Sequence, residues 1–203
     1  MQIIAHQDTA DPNRPLPTMT FDGIDVPFTV QAANQVPDLN SSGPNHEFGS
    51  IEIRHPESKT LMLIDVIFPG WMMSRRMAIA QDIPGVLGLV GRINAKYAFG
   101  LLVAGHAGRA GTKADVDEQL AFLTDLHATA LNTLDPTAIA EAMNPADTTN
   151  AWAVFDSFID RVTVRCVAEL APEWRDKLSD FDVFIYDPCT AMEQGIRVDR
   201  QRL

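Results

Sequence analysis

The chain has 203 residues, 46% of them hydrophobic and 21% charged, a composition typical of a globular domain with its own core. Its formal net charge of −11 argues against binding to nucleic acid or to an anionic membrane, because both need a basic face. No apolar run approaches the roughly 18 residues of a transmembrane helix, and the first residues lack the features of a signal peptide. We therefore expect a cytoplasmic protein.

The first half of the sequence predicts short strands joined by turns. The strand candidates are, in order, residues 2–6, 21–30, 36–41, 50–55 and 60–66. The last two are separated by four loop residues and predict an antiparallel hairpin in which His55 pairs with Thr60.

This hairpin bears on the position of Asp65, the one charged residue in the apolar run 61–71. An unbroken run of this kind predicts a strand covered on both faces. The hairpin register would place Ser50 opposite Asp65, and His46 would lie on the loop that enters the same end. Because an unpaired buried charge is costly, the Asp65 carboxylate needs a partner or a metal ion.

Helices dominate from residue 74 onward. The sequence predicts helices over residues 75–82, 85–96 and 112–134, a short one after Pro136, and one over 149–170 that Pro172 stops. Thr112 and Asp115 have nearly the spacing of a capping box. A short strand at 99–104 leads into the loop 105–111. This order predicts an α/β (α+β) layered domain, with the sheet in residues 1–111 and a helical portion in 112–203.

The two cysteines, Cys166 and Cys189, lie far apart in the sequence and lack the CxxC spacing. We expect two reduced thiols, with a disulfide as the less favoured alternative.

Three side chains form a candidate set of metal ligands. His46, Asp65 and His106 lie in loops or at a strand end, and imidazole together with carboxylate suits zinc or iron. Spacing alone favours a simpler alternative, in which the two histidines are ordinary loop residues and Asp65 is a capped structural acid.

Four segments, in order, resemble the metallo-β-lactamase-fold superfamily. They are GPNHEFG at 43–49, LIDVIFPGW at 63–71, Gly105-His106 followed by RAGT at 109–112, and the tail from DVF at 182–184 to CTAM at 189–192. Together they resemble the second half of such a protein, in the branch with a DVxFPGW strand and a long helical C-terminus.

The resemblance implies an αββα sandwich, here partial, forming a single domain over residues 1–203. In the family, histidines that match His46 and His106 each bind one of two zinc ions, and an aspartate that matches Asp65 bridges both. A hydroxide held between the ions then attacks an ester, lactone, thioester or amide, which makes Asp65 the catalytic candidate. Candidates for the substrate side or the outer shell of the site are Asn45, Trp71 and Arg109.

The chain departs from the family in one respect: the signature His-x-His-x-Asp-His, which supplies the other ligands, is absent from the sequence. We therefore expect an N-terminally truncated sandwich that holds at most one zinc ion weakly and is inactive alone. Such a chain would associate with itself or with a complementing chain, and would take a small-molecule substrate once completed. The alternative is a non-catalytic binding or interaction module of the same fold. The fold does not identify the substrate.

Overall fold

The computed structural model describes residues 2–106, 108–135 and 149–199. The strands are β1 (Ile4–His6), β2 (Met19–Phe21), β3 (Phe28–Thr29), β4 (Asp38–Asn40), β5 (Glu52–His55), β6 (Thr60–Leu63) and β7 (Leu101–Ala104). The helices are α1 (Ile83–Lys96), α2 (Lys113–Leu134), α3 (Ala151–Trp174), α4 (Phe181–Phe184) and α5 (Tyr186–Asp199). The short helix expected after Pro136 lies outside the described residues.

The chain divides into two compact units. The first contains residues 2–69 and 80–120, with strands β1 to β7, helix α1 and the beginning of α2. The second contains residues 70–79 and 121–199, with the rest of α2 and helices α3, α4 and α5. This mixture confirms the predicted α+β class. Among the helices of the described residues, none is both long enough and apolar enough to span a lipid bilayer.

The first unit contains a five-stranded sheet in the order β3-β4-β5-β6-β7, while β1 and β2 form a separate parallel pair. The β5–β6 hairpin has the predicted register, with His55 opposite Thr60. Strand β7 runs parallel to β6, so that both strands end at the same edge of the sheet.

The two faces of this sheet differ in burial. Leu61, Leu63 and Leu102 are at most 1% exposed, whereas Met62 and Val103, which point to the other face, are 37% and 36% exposed. The prediction of a strand covered on both faces is therefore wrong. The run is continuously apolar, but the alternation of side chains in β6 and β7 buries one face and leaves the other partly open.

Strand β6 ends at Leu63, and Asp65 lies in the turn that follows, with φ of 63°. The left-handed conformation interrupts the pleat, so the β5–β6 ladder stops at the pair of Ile53 and Met62. The expectation that Ser50 lies opposite Asp65 is wrong for this reason. Aspartate tolerates the left-handed conformation better than most residues do.

A buried polar cluster joins helix α1 to the sheet. Glu52 is 1% exposed and accepts a hydrogen bond of 2.9 Å from the hydroxyl of Tyr97, the residue that ends α1. Asn40 on the neighbouring strand also donates to the Glu52 carboxylate. Burial, followed by the charge of Glu52, raises the pKa of Tyr97 well above its ordinary value. These contacts fix the C-terminal end of α1.

In the second unit, a disulfide between Cys166 and Cys189 joins α3 to α5. The expectation of two reduced thiols is therefore wrong. The residues are 23 positions apart in the sequence, but both are fully buried and their Cα atoms are 6.1 Å apart. Disulfides persist mainly in oxidising compartments. The disulfide does not support a cytoplasmic location, which stays a prediction.

Helix α3 differs from its prediction at both ends. Pro172 does not stop the helix, which continues to Trp174, and the N–H of Arg175 still donates to the carbonyl of Ala171 at 3.2 Å. A proline in the last turn removes one hydrogen bond, and the helix ends two residues later. The helix begins at Ala151 rather than at residue 149, and Trp152 in its first turn is 81% exposed.

Residues Arg75–Ile79 form one helical turn of the opposite hand to the predicted helix. Arg76, Met77, Ala78 and Ile79 have φ values between 53° and 61°. Each non-glycine residue in this conformation costs about 1–2 kcal/mol. Met77 is fully buried, and burial of a methionine side chain contributes about 1.5–3 kcal/mol. Packing therefore offsets part of the local strain.

Candidate functional site

The candidate residues Asp65 and His106 emerge from the same edge of the sheet. Leu63 and Ala104 are paired at the ends of the parallel strands β6 and β7. Asp65 and His106 each lie two residues beyond this pair. Because the carboxyl ends of adjacent parallel strands meet, the topology itself brings the two side chains together.

Asp65 lies between two imidazoles. The Nε2 atom of His46 is 3.5 Å from Asp65 Oδ2, and the Nε2 atom of His106 is 3.1 Å from Asp65 Oδ1. The side chains of Asp65 and His46 are 23% and 16% exposed, whereas that of His106 is 76% exposed. The structure thus brings the three residues together, and their role as metal ligands stays a prediction.

The backbone of His46 is held by its neighbour and by the segment before α1. Asn45 is buried, accepts the His46 N–H at 2.6 Å and donates its own amide to the Gly43 carbonyl at 2.9 Å. The N–H groups of Gln81 and Asp82 donate to the carbonyls of His46 and Asn45 at 3.1 and 2.9 Å. The Asn45 side chain therefore holds the backbone of the loop by hydrogen bonds. Its expected contact with substrate stays a prediction.

Helix α1 begins directly against this loop because Gly85 has no side chain. A Cβ atom on Gly85 would lie 1.9 Å from the carbonyl oxygen of Pro44. Asp82 caps the helix by accepting the Gly85 N–H at 3.2 Å. The sequence pattern of residues 85–96 predicts the helix but does not reveal the close approach at Gly85.

Gln119 of α2 holds the segment that follows Asp65. This glutamine is 5% exposed, accepts the N–H of Phe68 at 2.8 Å and donates to the carbonyl of Val66. Its amide thus satisfies backbone groups beyond the end of β6 that no neighbouring strand pairs. Gln119 was not among the candidates from the sequence, although its position one helical turn from the apolar, buried Val116 and Leu123 was a signal for it.

The loop that carries His106 is closed at its base by two backbone hydrogen bonds between Leu102 and Gly111, of 2.9 and 2.8 Å. His106 itself is in the left-handed conformation, with φ of 54°. Arg109, a substrate-side candidate in the same loop, pairs with Asp115 and donates to the Ala110 carbonyl at 3.1 Å. Its guanidinium therefore already has protein partners.

Asp115 also caps helix α2. Its Oδ2 atom accepts hydrogen bonds from the N–H and the hydroxyl of Thr112 at 2.7 and 2.8 Å; the first of these is one half of the predicted capping box. The hydrogen bond from Arg109, followed by those from Thr112, holds the pKa of Asp115 below its ordinary value despite its burial.

We expect the Asp115→Asn variant to have a lower free energy of unfolding than the wild type at pH 7, by about 1 kcal/mol. The folded-state pKa of Asp115 lies below the unfolded value of 3.8, so its charge stabilises the fold above that pH. This contribution is lost as the pH falls through the folded-state pKa. Urea unfolding at pH 7 and at about pH 3 should therefore show a smaller difference at the acidic pH. An equal difference at both would contradict this prediction.

The donor atoms at Asp65 suit zinc, but they are few. Imidazole nitrogen and carboxylate oxygen are common zinc ligands. Among the described residues, His46 Nδ1 and Asp65 Oδ1 have no hydrogen-bond partner although both atoms are buried, and His106 Nε2 comes within 3.1 Å of Oδ1. Within residues 2–106, 108–135 and 149–199, no three His, Cys, Asp or Glu side chains are arranged so that they could hold one metal ion. The residues therefore fit part of a metal site.

The last candidate, Trp71, belongs to the second compact unit and is 42% exposed. The backbone around it pairs with the segment before α4. The N–H of Met72 donates to the carbonyl of Ser179, and the N–H of Ser179 donates to that of Gly70, both at 3.0 Å. Its role as a wall for substrate stays a prediction.

Comparison with solved structures identifies similar folds. An alkylsulfatase, the stereoselective inverting sec-alkylsulfatase Pisa1 from Pseudomonas sp., matches with a TM-score of 0.54 and 12% identity over 88% of this chain. A metallo-β-lactamase from Pontibacter korlensis has a TM-score of 0.48 and 16% identity over 61% of the chain. The DIM-1 metallo-β-lactamase has a TM-score of 0.49 and 14% identity over 60%. No protein-family model matches the sequence, and no curated protein matches it.

Of these three likenesses, the one to the alkylsulfatase has a TM-score above 0.5. The chain spans 58% and 56% of the lengths of the two matched lactamases and 26% of the alkylsulfatase. At these identities the likeness describes the fold alone.

Proposed function

We propose that this chain provides part of the metal site of a metallo-β-lactamase-fold hydrolase, with His46, Asp65 and His106 as zinc ligands. We also propose that it does not hydrolyse substrate by itself. The observation that carries the proposal is the position of the Asp65 carboxylate, which lies within 3.5 Å of both imidazoles.

The arrangement supports a bridging role for Asp65. Each imidazole approaches a different oxygen of the carboxylate, His46 at Oδ2 and His106 at Oδ1. A carboxylate in the middle of such a row can serve two ions, each with one imidazole. When bound, zinc would supply Lewis-acid activation of water and of the scissile bond.

Hydrogen bonds from surrounding residues hold the backbone at two of the three proposed ligands, at His46 and just after Asp65. Asn45 and the N–H of Gln81 hold the backbone of His46, and Gln119 holds the segment after Asp65. Ligands whose backbone is fixed by buried hydrogen bonds lose less freedom on binding a metal. His106, by contrast, is mostly exposed, and we expect it to be the least ordered of the three ligands.

The same arrangement explains why we expect no activity from the chain alone. A catalytic zinc ion usually has three protein ligands and an open position. Three donors shared between two ions leave each ion short of ligands. We propose that a complementing chain or a second copy supplies the others, and that the substrate is a small molecule with an ester, lactone, thioester or amide bond.

We expect the purified chain to bind at most one zinc ion, and the Asp65→Ala variant to bind it about tenfold or more weakly. Asp65 should matter more than either histidine, because its two oxygens face both imidazoles. Zinc affinity is measured by competition with a chromophoric chelator, and metal content by mass spectrometry after dialysis.

The matched control is His55→Ala. The imidazole of His55 lies within 2.8 Å of the Ser58 hydroxyl at the hairpin turn, away from the Asp65 row. Its loss should leave zinc affinity unchanged. Equal affinity in the wild type and Asp65→Ala would overturn the assignment of ligands. Hydrolysis of test substrates by the wild type, lost in Asp65→Ala, would overturn the proposed inactivity.

A second candidate function is a non-catalytic binding module. It is favoured by the partly exposed apolar side chains of Met62, Leu101 and Val103, which lie on one face of two adjacent strands. The zinc measurement separates the two functions, since a binding module does not need Asp65 for its interaction and need not bind zinc.

A further inference from the structure

The loop after β7 passes very close to Asp65 at one residue, Gly105. A Cβ atom on Gly105 would lie 2.6 Å from Asp65 Oδ1, 2.7 Å from Ile64 Cγ2 and 3.2 Å from the backbone nitrogen of Asp65. The first two distances are shorter than any ordinary contact of a Cβ atom. The loop can therefore follow this path only because residue 105 has no side chain.

This path decides where His106 lies. Gly105 is the residue before His106, and the same carboxylate oxygen that approaches Gly105 is 3.1 Å from His106 Nε2. A side chain at position 105 would have to displace the carboxylate, the Ile64 side chain or the loop itself. Each of these movements would change the distance between Oδ1 and the imidazole.

The two atoms closest to such a Cβ atom, Asp65 Oδ1 and Ile64 Cγ2, belong to side chains, and the backbone contact at 3.2 Å is the longest of the three. Asp65 Oδ1 is buried, and the Asp65 backbone is fixed by the end of β6 on one side and by the contacts of Gln119 on the other. The loop is likewise closed at its base by the paired hydrogen bonds of Leu102 and Gly111. With both backbones held, the carboxylate of Asp65 and the side chain of Ile64 are the groups that must move, and movement of the carboxylate changes its approach to His106.

We propose that Gly105 is a positioning residue, which sets the approach of the Asp65 carboxylate to the His106 imidazole. The contact itself is seen in the structure, and its importance for zinc rests on the proposed function. The experiment therefore has one readout with metal and one without it.

The variant is Gly105→Ala, and the matched control is Gly108→Ala. Gly108 lies in the same loop, but a Cβ atom there would have no atom of the described residues within 4 Å, apart from its chain neighbours. Without metal, NOEs from the His106 ring protons to the β-protons of Asp65 should be present in the wild type and Gly108→Ala and lost in Gly105→Ala. With zinc, affinity should fall about tenfold or more in Gly105→Ala and stay unchanged in Gly108→Ala.

A double variant, Gly105→Ala with Ile64→Ala, separates the two steric contacts. It removes Ile64 Cγ2 but leaves the contact with Asp65 Oδ1, so we expect the NOEs to stay absent. If crowding at Ile64 prevents Gly105→Ala from folding, the NOEs are measured in the double variant instead. NOEs in Gly105→Ala equal to those of Gly108→Ala would overturn the positioning role. If the wild type bound no zinc but the NOEs behaved as expected, only the proposed function would fail.

Discussion

Replacing Gly85 with alanine should lower the free energy of unfolding by about 1–3 kcal/mol, the usual cost of overpacking. The new Cβ atom would lie 1.9 Å from the carbonyl oxygen of Pro44 and 2.9 Å from its carbonyl carbon. Both atoms belong to the backbone, so no change of rotamer can relieve the clash. Either α1 or the loop before it must move, and the loop carries Asn45 and His46.

The measurement is urea unfolding, with Gly88→Ala as the control. Gly88 lies in the same helix, and within the described part of the chain a Cβ atom there would have no atom within 4 Å beyond its own helix backbone and chain neighbours. Since glycine inside a helix is less stable than alanine by about 0.5–1 kcal/mol, this control should be more stable than the wild type. A stabilised Gly85→Ala variant would show that the loop does not pack against α1 as described.

Removing the disulfide should have an effect of similar or larger size. We expect the double variant Cys166→Ala with Cys189→Ala to lose about 2–4 kcal/mol of unfolding free energy relative to the oxidised wild type. The bond closes a loop between residues 23 positions apart, and closing such a loop lowers the entropy of the unfolded chain. Both positions are fully buried, so the loss of packing adds to this effect.

Unfolding of the wild type with and without a reductant provides the control for the disulfide. The reduced wild type should be less stable than the oxidised protein, while the double variant should unfold identically in both conditions. Labelling of thiols in the unfolded, unreduced protein gives a direct count. Two free thiols per chain would contradict the disulfide before any stability is compared.

The parts of the fold that follow from local pattern could be predicted from the sequence. The four-residue loop of the β5–β6 hairpin set the pairing of His55 with Thr60, and the spacing of Thr112 and Asp115 set the cap of α2. Both depend on residues close together in the chain. The order of the predicted strands and helices also predicted the α+β class, which the structure confirms.

What escaped prediction depends on contacts distant in sequence. The apolar run around Asp65 was expected to continue as a strand, yet Gln119, 51 residues from Phe68, pairs with the backbone after the turn. The disulfide likewise joins helices α3 and α5, and the hydrophobic pattern of each helix does not show which other helix it packs against. At Gly105 the relevant fact is the close approach of the backbone to Asp65, which hydrophobic periodicity does not reveal.

The sequence predicted the three candidate ligands of the site, but not the residues that hold those ligands in place. His46, Asp65 and His106 were named from the sequence, and the structure brings them together. The sequence did not identify Gln119, which holds the segment after Asp65. It also did not identify Gly85 and Gly105, which let the loops of His46 and His106 approach closely. Supporting residues of this kind are seen only once the elements are placed next to one another.

The left-handed turn at Arg75–Ile79 has a consequence for how this sequence can vary. Arg76 and Ile79 are exposed, so glycine at either position would release backbone strain without emptying the interior. Met77 and Ala78 are buried in the same conformation. At these two positions glycine would release the strain only by removing a side chain that packs in the interior. Mutational drift toward glycine or asparagine should therefore be tolerated at the two outer positions and selected against at the two inner ones.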